Sequence, residues 1–79
     1  MVQMKIFIMA QDGNKILLEV KSSDTILSLK ERIVDKQDLQ VHQQNLLFGG
    51  RSLQDSMTLA DHNIEDESTI DVLVRLMGD

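Results

Sequence analysis

The side chains that could support catalysis are few and scattered along this chain. Its two histidines, His42 and His62, are far apart and lack the His-x-x-x-His or carboxylate spacing of a metal site. Since the chain has no cysteine, it has no thiol nucleophile, disulfide or cysteine-bound zinc ion. No Ser-His-Asp arrangement, phosphate-binding glycine loop or pair of catalytic carboxylates can be identified. We therefore expect no enzyme activity, no catalytic residues, no cofactor and no metal.

Composition and charge narrow the class of protein and its partners. A hydrophobic fraction of 42% is enough for one domain over residues 1–79, with its core in residues 4–76 and a tail at 77–79. The net charge of −5 disfavours nucleic acid or an anionic membrane as the main partner. No apolar run approaches the roughly 18 residues that span a bilayer, and the N-terminus does not resemble a signal peptide. We expect a monomer in the cytoplasm, the nucleus or both, with proteins as its partners.

The first part of the chain has the pattern of a β-hairpin. Residues 4–9 and residues 16–20 each alternate side chains between two faces and are rich in β-branched residues. Between them lies a cluster of turn-forming residues, 11–14, in which Gly13 can adopt a positive φ. The spacing therefore predicts two antiparallel strands joined by a short loop.

A helix is predicted after the hairpin. Either Asp24 or Thr25 has the side-chain chemistry of a helix N-cap. Ile26, Leu29 and Ile33 then recur at the spacing that places them on one helical face. We expect this helix to end near residue 37.

Strand patterns return in the second half of the chain. Residues 44–48 predict a short strand that ends at Gly49-Gly50, and Leu53 continues it briefly. Residues 69–76 give the longest strand signal but have no local partner, so we expect this strand to pair with the first one in the middle of the sheet. The predicted fold class is α+β, with one main helix packed across one face of a mixed sheet.

Ordered runs of residues along most of the chain carry a family resemblance. The runs are Met4-x-Ile6-Phe7, Leu18-Glu19-Val20, Ser23-Asp24-Thr25-Ile26, Asp35-Lys36, Gln43-Gln44-x-Leu46-x-Phe48-x-Gly50, Thr58-Leu59-x-Asp61-x-Asn63-Ile64, Glu67-Ser68-Thr69 and Arg75-Leu76-x-Gly78. In these runs the chain resembles the ubiquitin family over residues 4–78 without a gap. The fold that this resemblance implies is the β-grasp.

The resemblance also implies which residues support the fold. Lys30 matches a largely buried family lysine that pairs with an acid, which here would be Asp55. His62 stands where the family has a tyrosine that braces a loop. The implied core residues are Ile6, Ile16, Val20, Ile26, Ile33, Leu46, Leu59 and Ile70.

The C-terminal residues depart from the family pattern. Ubiquitin ends in a diglycine whose carboxylate is activated and transferred, whereas this sequence reads Arg75-Leu76-Met77-Gly78-Asp79. Arg75 matches a contact with the activating enzyme, but Met77 replaces a second arginine and Asp79 replaces the final glycine. We therefore expect the sequence as written not to be conjugated. The alternatives are a covalent modifier that is processed to expose Gly78, a cleavable N-terminal fusion partner, and a domain end within a longer protein.

A docking face is implied on the exposed side of the sheet. The positions that match ubiquitin's apolar patch are Gln11, Leu47, Asp71 and Leu73, so two members stay apolar, one is polar and one is acidic. An acid in the middle of an interface costs desolvation free energy unless the partner supplies a base. We expect weaker binding to ordinary ubiquitin receptors and a preference for a more basic partner. The alternative is that Asp71 only aids solubility.

The β-grasp strand order would make the docking face wide. It places Leu17, then Phe7 and Met9, then Leu73, then Leu47 across the exposed side, an apolar stripe of the kind that marks interaction sites. Alternatively, the tail and the stems of neighbouring lysines cover part of it. The predicted partner-binding residues are Leu47, Gly50, Arg51, Asp71, Leu73, Arg75, Phe7, Met9 and Gln11.

These expectations combine into one function. We expect a non-enzymatic protein-interaction module of the ubiquitin–proteasome system, whose partners are ubiquitin receptors or proteasome subunits bound with altered specificity. Two lysines on which the family builds chains are replaced by Arg51 and Asp66, neither of which can form an isopeptide bond. Chain building through the usual linkages is therefore disfavoured.

Overall fold

The computed structural model describes residues 3–75. Within that range the elements are the strands β1 (Gln3–Met9), β2 (Lys15–Lys21), β3 (Gln44–Phe48), β4 (Arg51–Ser52) and β5 (Thr69–Val74), the helix α1 (Ile26–Gln37), and the 3₁₀ turns Val41–Gln43 and Ala60–His62. No helix among the described residues combines the length and the apolar character needed to cross a bilayer.

The five strands form one mixed sheet in the order β2-β1-β5-β3-β4. β1 and β5 run parallel, and the other neighbouring strands run antiparallel. Alternate side chains of these strands point inward and form one core with the apolar side of α1. The predicted α+β class, the single main helix across one face and the pairing of the last strand with the first are confirmed. This arrangement is the β-grasp.

Local backbone conformations and hydrogen bonds determine where the hairpin turns and where the helix begins and ends. Gly13 has a φ of +90°, a conformation that glycine adopts without steric cost, and this allows the β1–β2 turn. Thr25, rather than Asp24, is the N-cap of α1, because its Oγ1 accepts a hydrogen bond from the backbone N–H of Ser28 at 3.1 Å. Asp38 adopts the left-handed conformation and ends the helix at the predicted residue.

The core matches the implied set except at one position. Ile6, Val20, Ile26, Ile33, Leu46, Leu59 and Ile70 are all buried. Ile16 is only half-buried, because it is the inward residue of β2 nearest the turn and packs against the rim of the core. β4 ends at Ser52, but Leu53 is still buried and donates its N–H to the carbonyl of Leu46 at 2.8 Å.

An ion pair between a buried lysine and an exposed aspartate joins the helix to the loop after β4. The Nζ of Lys30 lies 2.7 Å from Oδ1 of Asp55, as the resemblance implied. The side chain of Lys30 is 9% exposed, whereas that of Asp55 is 49% exposed. The same loop accepts a helix N-terminal hydrogen bond, from the N–H of Leu27 to the carbonyl of Asp55 at 3.1 Å. The pair therefore holds the loop at the start of α1.

Because only the lysine is buried, the two partners should not be equally sensitive to substitution. Asp55→Asn leaves a buried ammonium group without its counter-charge, and we expect it to lower the free energy of unfolding by about 1–3 kcal/mol. Lys30→Met removes the buried charge and keeps most of the side-chain volume, so we expect a loss below about 1.5 kcal/mol. Urea unfolding of the two variants and the parent measures both values. An equal or larger loss for Lys30→Met would contradict this account of the pair.

Candidate protein-binding face of the sheet

The side of the sheet that faces away from α1 carries the predicted docking residues. In the register, Asp71 of β5 lies opposite Met9 of β1 on one side and opposite Leu47 of β3 on the other. Leu73, two residues further along β5, lies opposite Asn45 of β3 and points to the same side. The structure therefore places an exposed carboxylate between apolar side chains from two neighbouring strands.

The expected apolar stripe is present but unevenly exposed. Leu17 is 52% exposed and Leu73 is 40% exposed, while Phe7, Met9 and Leu47 are half-buried. Part of Phe7 is covered by Lys15, whose Nζ lies 4.8 Å from the centre of its ring, a cation–π contact. The stripe is therefore partly covered by a lysine, as the alternative interpretation expected, and the rest remains accessible.

The β3–β4 turn contains the predicted residue Gly50 and leads into Arg51, the first residue of β4. Gly49 and Gly50 have φ values of +61° and +82°, which suits the tight turn between antiparallel strands. A side chain at Gly50 would meet no neighbouring atom, yet the positive φ would strain it. Arg51 is exposed and lies opposite Phe48 in the register. Because Phe48 points to the opposite side from Leu47, this pairing directs Arg51 away from the face that contains Leu47, and a binding role for Arg51 remains a prediction.

Gln11 has a structural role that its sequence position did not reveal. Its Oε1 accepts a hydrogen bond from the backbone N–H of Val74 at 2.8 Å. β1 pairs with β5 only as far as Met9 and Asp71, so the N–H of Val74 lies beyond the end of the partner strand. The amide of Gln11 takes the place of that missing strand and fixes the β1–β2 turn against β5. A binding role for Gln11 remains a prediction, and its acceptor oxygen is already used.

The remaining predicted site residues lie towards the C-terminal end. Arg75 is exposed, and its backbone N–H donates to the carbonyl of Gln43 at 2.7 Å. It lines a groove beside β3 together with Lys30, His42 and Asp55. Gly78, the residue of the conjugation alternative, lies outside the described residues, as do the other positions after 75.

His62 and Asp61, away from this face, have structural contacts. Nε2 of His62 accepts a hydrogen bond from the backbone N–H of Gln54 at 3.3 Å, consistent with the expected role in bracing a loop. Beside it, hydrogen bonds from the backbone and side chain of Thr58 lower the pKa of Asp61. Within residues 3–75 no group of three His, Cys, Asp or Glu side chains is arranged to hold a metal ion.

Fold and sequence together define the class of protein. The β-grasp sheet carries the outward face just described, and the model of the ubiquitin family matches residues 6–77. The chain belongs to the ubiquitin family.

Similarity to individual members is moderate and covers most of the chain. Ubiquitin-like protein 4A of Rattus norvegicus is 33% identical over 72 residues, 91% of this chain and 46% of that protein. Ubiquitin-like protein NEDD8 of Dictyostelium discoideum is 30% identical over 66 residues, 84% of this chain and 86% of that protein. In 2'-5'-oligoadenylate synthase-like protein 1 of Rattus norvegicus, 35% identity extends over 68 residues, 13% of that protein. The chain thus spans about half the length of ubiquitin-like protein 4A.

The contact between Gln11 and Val74 can be tested by amide hydrogen exchange. We expect Gln11→Met, which keeps the side-chain length but has no oxygen acceptor, to speed exchange of the Val74 amide by about fivefold or more, because one hydrogen bond is lost. Gln11→Glu retains an acceptor oxygen and should keep the exchange slow. Equal protection of Val74 in the parent and the Met variant would show that the side chain does not hold the turn.

Proposed function

We propose that this chain is a non-enzymatic ubiquitin-like interaction module that binds protein partners non-covalently on the outer face of its sheet. The observation that carries the proposal is the exposed carboxylate of Asp71 between Met9 and Leu47, with Leu73 beside it. Apolar side chains around one charged group are typical of a docking surface. The apolar side chains supply area that is buried on binding, and the charged group fixes the orientation of the partner. We place this activity in the ubiquitin–proteasome system.

The carboxylate at the centre selects the partner. When a partner covers Asp71, the carboxylate loses water, and a base on the partner offsets that cost through a charge-assisted hydrogen bond of about 1.5–3 kcal/mol. A receptor without such a base leaves the acid unpaired and binds weakly. The proposed partners are therefore ubiquitin receptors or proteasome subunits that present a basic residue among aliphatic ones, met in the cytoplasm or nucleus by a monomeric module.

Three sequence positions support a non-covalent mode. Met77 and Asp79 replace the second tail arginine and the second tail glycine of the family, so the tail lacks two features that activation uses. Asp66 replaces a chain-forming lysine, and its Oδ1 accepts a hydrogen bond from the N–H of Lys5 at 2.7 Å. Retention of Gly78 and Arg75 favours the second candidate, a modifier processed at Gly78. A cleavable fusion partner is the third candidate.

Substitution of Leu47 tests the docking face directly. We expect Leu47→Ala to weaken binding to a recombinant proteasomal ubiquitin receptor by about tenfold or more, because an aliphatic contact beside Asp71 is lost. The control is Leu27→Ala, which makes the same truncation at an exposed leucine of the helix, away from the sheet face. Calorimetric titration gives the affinities, and thermal midpoints close to the parent value confirm folding. Unaltered affinity of the Leu47 variant for the receptor would contradict the proposal.

The same titration separates the role of the acid. Asp71→His should strengthen binding to generic ubiquitin receptors, because it removes the unpaired carboxylate from the interface. If the affinity does not rise, the carboxylate is not what limits these receptors.

A further inference from the structure

The outer face has a second half with the opposite charge. On β1 and β2 the outward side chains include Phe7 directly opposite Leu17, Lys5 directly opposite Glu19, and Lys15 opposite Met9. Lys21 follows at the end of β2 on the same side. Leu17, 52% exposed, is the most exposed large hydrophobic side chain of the described residues. We call this surface, formed by Lys5, Lys15, Lys21, Phe7 and Leu17, the basic hairpin face.

The charge of the basic hairpin face contrasts with that of the whole chain. The chain carries −5, whereas the outward positions of β1 and β2 hold three lysines and one glutamate, a local charge of +2. Within residues 3–75 the ion pair present is the one between Lys30 and Asp55, so these three ammonium groups have no carboxylate within ion-pair distance. The ammonium of Lys15 lies over the ring of Phe7 instead. Carboxylates border two of these positions, because Asp66 accepts a hydrogen bond from the N–H of Lys5 and Asp24 accepts one from the N–H of Lys21. The positive, partly apolar surface is therefore centred on Lys15, beside Phe7 and Leu17.

The free edge of β2 is partly occupied by the chain itself. Nη1 of Arg32 donates to the carbonyl of Glu19 at 2.6 Å, and the N–H of Lys21 donates to Oδ2 of Asp24 at 2.9 Å. Two of the backbone groups that an added strand would need are therefore already paired, which opposes extension of the sheet at this end of β2. The exposed side chains of the face are the groups that a partner can contact without displacing these bonds.

We propose that the basic hairpin face is a second docking surface, which binds a segment of a partner protein that has carboxylates next to aliphatic side chains. The carboxylates would pair with the lysines, and the aliphatic side chains would cover Leu17 and Phe7. An anionic membrane fits less well. Three lysines are fewer than the roughly four to eight basic residues of lipid-binding clusters, and the acidic remainder of the chain is repelled by such a surface.

This surface adjoins the one around Asp71 at Met9, which lies opposite both Lys15 and Asp71, but the two surfaces prefer partners of opposite charge. A partner of the basic hairpin face needs acidic residues, so one segment of uniform charge cannot satisfy both surfaces. The inference does not require the proposed function, because the lysines and Leu17 lie on different strands from Leu47 and Leu73. Two partners, or two segments of one partner, could occupy the sheet together.

Selection from a random peptide library tests the proposal without a known partner. We expect peptides selected on the parent chain to be enriched in Asp and Glu beside Leu, Ile or Val. The best synthetic peptide should bind Lys15→Glu about tenfold or more weakly, and its affinity should fall as salt is raised. The matched control is Lys36→Glu, which makes the same charge change on the exposed helix surface and should stay within about twofold of the parent.

Two further measurements separate this surface from its alternatives. Leu47→Ala should leave the affinity for the acidic peptide unchanged, so loss of the docking face around Asp71 is distinguishable from loss of this one. Binding of the chain to vesicles that contain phosphatidylserine tests the alternative of an anionic membrane. A selection that recovers no acidic peptide, an equal effect of Lys15→Glu and Lys36→Glu, or vesicle binding that depends on Lys15 without any acidic peptide would each overturn the proposal. Basic peptides whose binding is lost in Leu47→Ala would belong to the face around Asp71.

Discussion

The parallel pairing of β1 with β5 is the constraint on which the rest of the molecule depends. It joins the first and last described strands, so that Met9 lies beside Asp71 although the two residues are far apart in sequence. This central pair leaves one face of the sheet to pack against α1 and the other to face solvent. Because the inward residues are committed to the core, the residues of the sheet that can change binding without loss of stability are the outward ones.

On that outward face, the exposed residues divide the sheet into two halves of different charge. Asp71 makes the β5–β3 half acidic at its centre, while Lys5, Lys15 and Lys21 make the β1–β2 half positive. A family fold can thus keep its core and change its partners by exchanging a few exposed residues. The tight turn at Gly49-Gly50 and the ion pair of Lys30 with Asp55 stabilise the fold, whichever residues occupy the outward positions.

Features that repeat along the chain could be predicted from the sequence, whereas single long-range contacts could not. Alternation predicted the strands, and helical spacing with Thr25 predicted α1, because each depends on neighbouring residues alone. The contacts of Gln11 with Val74 and of Arg32 with Glu19 depend on where strands stop and how the helix lies across them. A polar residue just after a strand is the signal that the sequence offers for Gln11, and it does not distinguish a contact with β5 from a place on the docking face.

A conjugation assay tests the central claim, a non-covalent interaction module, most directly. An N-terminally tagged copy of the chain would be incubated with ATP in a lysate of the source cells, beside a copy that lacks Gly78 and Asp79. We expect no high-mass, reducing-agent-resistant adducts from either copy, and non-covalent partners that are recovered equally with both. An ATP-dependent ladder of adducts formed only by the copy with Gly78 would contradict the account and establish a covalent modifier.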